Sequence, residues 1–302
     1  MKQIRMLFLV GLGTFPAMLG GCGTTAPIGT PPLSSLGAPS SSATPSTRRD
    51  LLYATAGDSQ MFIYTYPRLK RLFVLYPAVQ PETECSDRRG DVFVATGDGL
   101  MEYRHAGVSP IATIGIESEG CSVDPVTGNL AVVQYGYGIR IFRPTKTGWH
   151  LPVTRTPPFQ ATSCAYDDHG NLFADGSTGS TGYLELAEMP KGTRTFASIN
   201  VDQPVSAAGS VQWDGKHLAV TDSDASPPII YRYSIGGSAA TLAGTTKLSG
   251  ATEVGETWIF NGHVVAAVYS SSRGVGIWKY PGGGSPVNTI SLDVAGGVTI
   301  SI

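Results

Sequence analysis

Four cysteines, Cys22, Cys85, Cys121 and Cys164, and a recurring set of carboxylates are the side chains of this 302-residue chain best suited to chemistry. The stretch GCSVDPVTGNLAVV (120–133) sets a cysteine, a serine and an aspartate within four residues, which raises the question of a reactive thiol. A cysteine nucleophile needs one thiolate beside one base. Here the motif recurs as TECSD (83–87), GCSVD (120–124) and SCAYD (163–167), and Ser210 takes the cysteine's place in GSVQW (209–213). A residue repeated once per structural unit belongs to a wall, so Cys85, Cys121 and Cys164 are expected at equivalent places, packed as small buried hydrophobes. Disulfides stay open if the chain is exported, with one cysteine left over, although equivalent positions on adjacent units often lie too far apart for a bridge. No convergence of thiolates on a metal is visible in the spacing. His105, His150, His169, His217 and His263 fall in or near turns and are expected to be solvated.

The elements that position these residues form a repeat. Six runs, LLYATA (51–56), DVFVAT (91–96), NLAVVQ (129–134), NLFADG (171–176), HLAVTD (217–222) and VVAAVY (264–269), share an apolar, β-branched character. Each is followed by an alternating run, such as MFIYTYP (61–67) or GIRIFRP (138–144), and then by a third. The cysteine-bearing runs precede them through polar turns (RRGD, PVTGN, DHGN, DGKH) that supply glycine, asparagine or aspartate where positive φ is needed. A period of about 40 residues suits four-stranded propeller blades rather than solenoid coils. The predicted fold is therefore all-β, a six-bladed propeller over 48–302. GGVTISI (296–302) reads as the innermost strand that the first run lacks, so joining the two ends would close the ring and hide its edges. Hydrophobic residues at 41% and charged ones at only 15%, with 38 glycines and 21 prolines, agree with a turn-rich β protein.

Propeller sites gather where loops enter the innermost strand and leave the second. Carboxylates recur there: Asp58, Asp98, Asp175 and Asp222 after second strands, with Glu82 and Glu119 before innermost ones, accompanied by Glu84, Glu117, Glu253 and Asp224. One reading is a negative mouth that attracts a cation or cationic ligand, a divalent cation being the only cofactor suggested. The other is that an aspartate at a strand end merely fixes its turn. A net charge of −2 without a long Lys/Arg run argues against nucleic acid as a partner.

The N-terminus carries a different message. Lys2 and Arg5 precede an apolar run from Met6 to Leu19, too short for a comfortable membrane span and laid out as an export signal over 1–21. Leu19-Gly20-Gly21-Cys22 resembles the bacterial lipoprotein signal, which implies a lipid anchor on Cys22; an ordinary secretory signal or an uncleaved anchor are the alternatives. Residues 22–47 are rich in Ser, Pro, Thr and Gly and hold no aromatic side chain, the composition of a disordered tether. The expected location is the cell envelope, at the outer membrane or cell surface.

From Asp50 onward the chain resembles the NHL-repeat and SMP-30/gluconolactonase-like six-bladed propellers, most closely at DDHGNLFAD (167–175). The resemblance implies the fold and says little about activity. Lactonases of this kind hold a divalent metal with Glu, Asn and Asp. By position Glu82 stands where the resemblance implies one ligand, but IESEGC, FQATSC and VSAAGS offer no asparagine, so the set is incomplete and catalysis is not the favoured reading. The expected function is a monomeric, lipid-anchored binding module for a protein, peptide or glycan. A metal-dependent hydrolase and a purely structural envelope protein are the alternatives.

Overall fold

In the computed structural model residues 49–302 are described, apart from 58, 78–79, 135, 179–182, 204, 270–272 and 294. The expected signal (1–21), the tether (22–47), Cys22 and Asp58 lie outside the described residues. Twenty-four strands follow one another without a helix between them among the described residues. They are β1 (Leu51–Ala56), β2 (Gln60–Thr65) and β3 (Arg71–Leu75); β4 (Pro81–Ser86), β5 (Val92–Thr96), β6 (Gly99–Tyr103) and β7 (Pro110–Ile114). Next come β8 (Gly120–Val123), β9 (Leu130–Gln134), β10 (Gly138–Phe142) and β11 (Val153–Arg155); β12 (Gln160–Tyr166), β13 (Leu172–Ser177), β14 (Glu185–Met189) and β15 (Ala197–Val201). The chain ends with β16 (Ala208–Trp213), β17 (Leu218–Asp222), β18 (Ile229–Gly236) and β19 (Ala239–Lys247); β20 (Val254–Phe260), β21 (His263–Val268), β22 (Gly274–Lys279), β23 (Asn288–Ser291) and β24 (Ala295–Ser301).

The arrangement is propeller-like. Four sheets have four antiparallel strands each, in the orders β24-β1-β2-β3, β4-β5-β6-β7, β8-β9-β10-β11 and β20-β21-β22-β23. A fifth has eight strands, because the outer strands β15 and β19 meet in parallel at Asn200↔Ala239 and Val201↔Ala240. The sequence predicts separate units at this point. β19, nine residues long, starts alongside β15 and covers an edge that would otherwise stay open. The first strands β4, β8, β12, β16, β20 and β24 each contact the next, and β24 contacts β4, which closes the ring.

Burial explains why the sequence reads as it does. β1 and β5 are buried along their whole length, so both faces must be apolar and the alternation of a one-sided strand disappears. The outer strands β3 and β7 are largely exposed and can carry charge or small polar residues. The core consists of layers between neighbouring sheets, such as Ala131, Val133 and Ile139 against Leu172, Ala174 and Ala187. Closure follows the expectation from the chain ends: β24 pairs with β1 in the register Leu51↔Ser301 and Tyr53↔Thr299, and Val298 and Ile300 join the layer of Leu52 and Ala54. Gly90, at φ +79°, lets the chain end sit close, since a Cβ there would lie 2.2 Å from the Ile302 carbonyl oxygen.

Candidate functional site: the central cavity

The turns after four innermost strands, β4, β8, β12 and β16, are each held by one aspartate. Asp87 accepts N–H groups of Arg89 and Asp91, each at 2.8 Å; Asp167 accepts those of His169 at 2.8 Å and Asn171 at 2.9 Å. Asp124 and Asp214 do the same for Val126 and for Lys216 and His217. On these four strands, counting back from the aspartate tells which way the wall side chains near the turn point, because neighbours along a strand face opposite sheets. Positions two or four before it face the following sheet: Ser122 accepts the Tyr166 N–H at 3.0 Å and Ser163 accepts the Val211 N–H at 3.3 Å. Positions one or three before it face the preceding sheet, as Ser86 does in donating to the Ile300 carbonyl at 2.8 Å. These contacts satisfy backbone groups on the inner edges of the first strands, which no further strand covers.

The same count corrects the reading of the cysteines. Cys85 stands two residues before Asp87, whereas Cys121 and Cys164 stand three before Asp124 and Asp167. That one-residue slip turns Cys85 forward while Cys121 faces back, and the two form a disulfide with a Cα separation of 5.7 Å. The bridged pair does not occupy equivalent positions. Cys164 alone keeps the expected role, a buried free thiol packed with Ala131 and Val133, and burial pushes its pKa upward.

Inside the ring lies a cavity of about 750 Å³. It runs the length of the first strands, from Glu82, Glu119 and Glu253 at the mouth end, where they begin, to Arg88, Asp168 and Trp213 at the turn end. At the mouth end, β-bulges interrupt β4–β5, β12–β13, β16–β17, β20–β21 and β24–β1, and such irregularities re-aim side chains. Glu256, beside one bulge, lines the cavity and reaches across the closing strand. Its carboxylate accepts the Val298 N–H at 3.1 Å and the Glu84 N–H at 2.9 Å, thereby joining β20, β24 and β4. Gly297 makes this crossing possible, as a Cβ there would come within 2.7 Å of the carboxylate oxygen. Burial pushes the Glu256 pKa up to about 8, against the pull of the two amides.

Behind Glu256, Glu84 is fully buried, and among the described residues neither of its carboxyl oxygens has a hydrogen-bond partner. Burial, and then the nearby charge of Glu256, hold its pKa well above the ordinary carboxylate range. Tyr269 leans over Gly255 and donates to the Gly296 carbonyl at 3.3 Å. Its pKa is raised by burial and by Glu256, Glu253 and Glu82, which marks these groups as neighbours. Glu119 is likewise raised by burial and by Glu82 and Glu117.

The predicted acidic residues therefore divide. Glu82 and Glu119 share the cavity mouth with Glu253, and their side chains make no hydrogen bond or ion pair among the described residues. Asp98 is exposed on the β5–β6 loop and is not part of the cavity wall. Asp222 is buried and accepts N–H groups of Ser206, Asp224 and Ala225, the turn-fixing role. Asp175, also buried, accepts the Thr162 hydroxyl at 3.1 Å, and burial pushes its pKa up to about 7. Asp175 and Asp222 belong to second strands, one layer out from the cavity, which is why they do not join the mouth. Glu256 was missed as a site residue by sequence reasoning; the signal was a lone carboxylate inside an innermost strand, EVGETWIF. Among the described residues no three His, Cys, Asp or Glu side chains are placed to hold a metal ion.

No family model matches the chain and no curated protein matches its sequence. Among solved structures it is similar to a protein of unknown function from Bacteroides caccae, with a TM-score of 0.62 and 12% identity over 84% of this chain and 99% of that one. A functionally unknown protein from Desulfotomaculum acetoxidans matches at a TM-score of 0.58 and 9% identity, over 84% and 99% of the two chains. The β-propeller domain of Cps50 (Swd1) from Myceliophteria thermophila matches at 0.55 and 14%, over 80% of this chain and 83% of that one. At such identities the likeness establishes a β-propeller fold and no activity.

Proposed function

We propose that the chain is an exported, lipid-anchored six-bladed propeller of the NHL/SMP-30-like kind, whose central cavity is a binding site. In this reading the eight-stranded sheet counts as two blades joined at their rims, and Cys22 carries the lipid that tethers the domain to the cell envelope. The observation that carries the binding role is the cavity of about 750 Å³ whose mouth holds carboxylates with no structural task, Glu82, Glu119 and Glu253.

The test is a screen of the protein against a chemically mixed set of small molecules, repeated with Thr83→Trp. Thr83 is half-buried on the cavity wall, so the larger ring would fill the space; among the described residues its hydroxyl has no hydrogen-bond partner to lose. Saturable binding that disappears in Thr83→Trp supports the reading; binding indifferent to that change, or none at all, refutes it. Metabolic labelling with a fatty-acid analogue, expected to vanish in Cys22→Ser, tests the anchor separately.

A further inference from the structure

We propose that the turn-side face of the propeller lies on an anionic phospholipid surface and so holds the cavity mouth outward, away from the bilayer. The choice of a membrane as partner rests on the lipid-anchor reading above; the face itself is defined by two observations independent of it. The first is the distribution of charge. Exposed basic side chains crowd the loops at the turn end: Arg68 and Lys70 between β2 and β3, Arg143 and Lys146 between β10 and β11, Lys191 and Arg194 between β14 and β15. Among the described residues no ion pair holds any of them. The Lys and Arg residues described at the mouth end are Arg155, Lys247 and Arg273, and the last pairs with Asp293 at 3.7 Å. Asp124 and Asp167, at the turn end, are buried and occupied by backbone amides, so they do little to cover the cations. The fold thus gathers on one face basic residues that form no run in a sequence of net charge −2.

The second observation is the kind of apolar residue each face exposes. Among the cations stand aliphatic tips: Val108 in the β6–β7 loop, Val126 in the β8–β9 turn and Leu151, which is 93% exposed. At the mouth end the large exposed residues are Tyr76, Tyr137 and Tyr183 instead. Aliphatic tips beside cations suit a bilayer surface, where the apolar groups enter the headgroup region while the cations meet phosphate. Nucleic acid would meet the same cations and leave the aliphatic tips without a role. The chain also enters the domain on this face, since Leu51 pairs with Ser301 at the turn end and Arg49 beside it is exposed. A lipid on Cys22 would therefore present this face to the bilayer at high effective concentration.

The experiment is hydrogen exchange on the full chain with vesicles of phosphatidylcholine, vesicles of phosphatidylglycerol, or a DNA duplex. We expect residues 143–151 to exchange at least about threefold more slowly on phosphatidylglycerol than on phosphatidylcholine, with the loop around Tyr137 unchanged. The difference should vanish in Arg68→Glu/Lys146→Glu/Lys191→Glu, whose exposed side chains hold no ion pair and whose replacement leaves the fold intact. Equal exchange on the two vesicles, protection of the mouth-side loop instead, or a difference that survives the triple variant would each overturn the proposal. Protection by DNA with none by phosphatidylglycerol would assign the face to nucleic acid and overturn it equally. Flotation with phosphatidylcholine vesicles reads the anchor by itself. A chain that floats on both vesicles without protection loses this inference alone; one protected on phosphatidylglycerol that fails to float on phosphatidylcholine loses the anchor and keeps the docking face.

Discussion

The two ends of the cavity carry similar numbers of acidic residues and use them differently. At the turn end Asp87, Asp124, Asp167 and Asp214 each clasp backbone amides of a hairpin, and Asp168 ties Arg88 to Trp213 across the ring. At the mouth end Glu82, Glu119 and Glu253 hold nothing together. A carboxylate that accepts several amide hydrogen bonds is structural, and one left unpaired at a cavity rim is available to a ligand. The difference separates what keeps the propeller folded from what it can bind.

Substitutions on the two sides of this contrast differ widely in expected effect. The largest effect is expected from deleting residues 298–302, which removes the turn-end half of the closing strand with buried Val298 and Ile300. The loss should exceed about 5 kcal/mol once the exposed edges of β1 are added to the two buried side chains, read as insoluble protein or loss of the cooperative unfolding transition. Next, replacing Cys85 and Cys121 by alanine should cost about 4 kcal/mol for a bridge spanning 36 residues, measured by urea unfolding. The converse change, Ser122→Cys, places a thiol two residues before Asp124, facing Cys164 as Cys85 faces Cys121. It should form a second disulfide, detectable by peptide mapping without reductant.

Asp167→Ala should destabilise by about 2–3 kcal/mol, since it strips the amides of His169 and Asn171 of a charged acceptor. By contrast Glu82→Gln should change stability by no more than about 0.5 kcal/mol. Between these lies a pH effect. Asp175 and Glu256 have folded pKa values of about 7 and about 8, above the ordinary carboxylate range. The folded protein therefore binds more protons than the unfolded chain, and stability is highest in acid and declines as pH rises through 7 and 8. A melting temperature that climbs over that window would contradict this, and Asp175→Asn should flatten the slope.

Much of the scaffold was legible in the sequence. Apolar runs at regular spacing mark β5, β9 and β13 because strands buried on both faces must be apolar throughout, and the two chain ends read as halves of one sheet because neither has a partner of its own. What escaped detection depended on single-residue register. Aligned on their cysteines, TECSD and GCSVD look equivalent; aligned on their aspartates, they differ by one place, and that place decides between a packed thiol and a disulfide. Glu256, and the burial of Glu84, were hidden for a related reason. They stand beside bulges at the mouth end, where the simple alternation of facing that a sequence offers is interrupted. The joining of β15 to β19 was equally invisible, since two paired residues leave no periodic signature.

The most direct test of the contrast is one variant with two readouts, Glu82→Gln/Glu119→Gln/Glu253→Gln, followed by thermal unfolding and by titration with the compounds that bind the unaltered protein in the small-molecule screen. The expected result is a melting temperature unchanged within about 2 °C together with weakened binding. A fall in melting temperature of more than about 5 °C, or binding equal to that of the unaltered protein, would show that the mouth carboxylates are scaffolding after all.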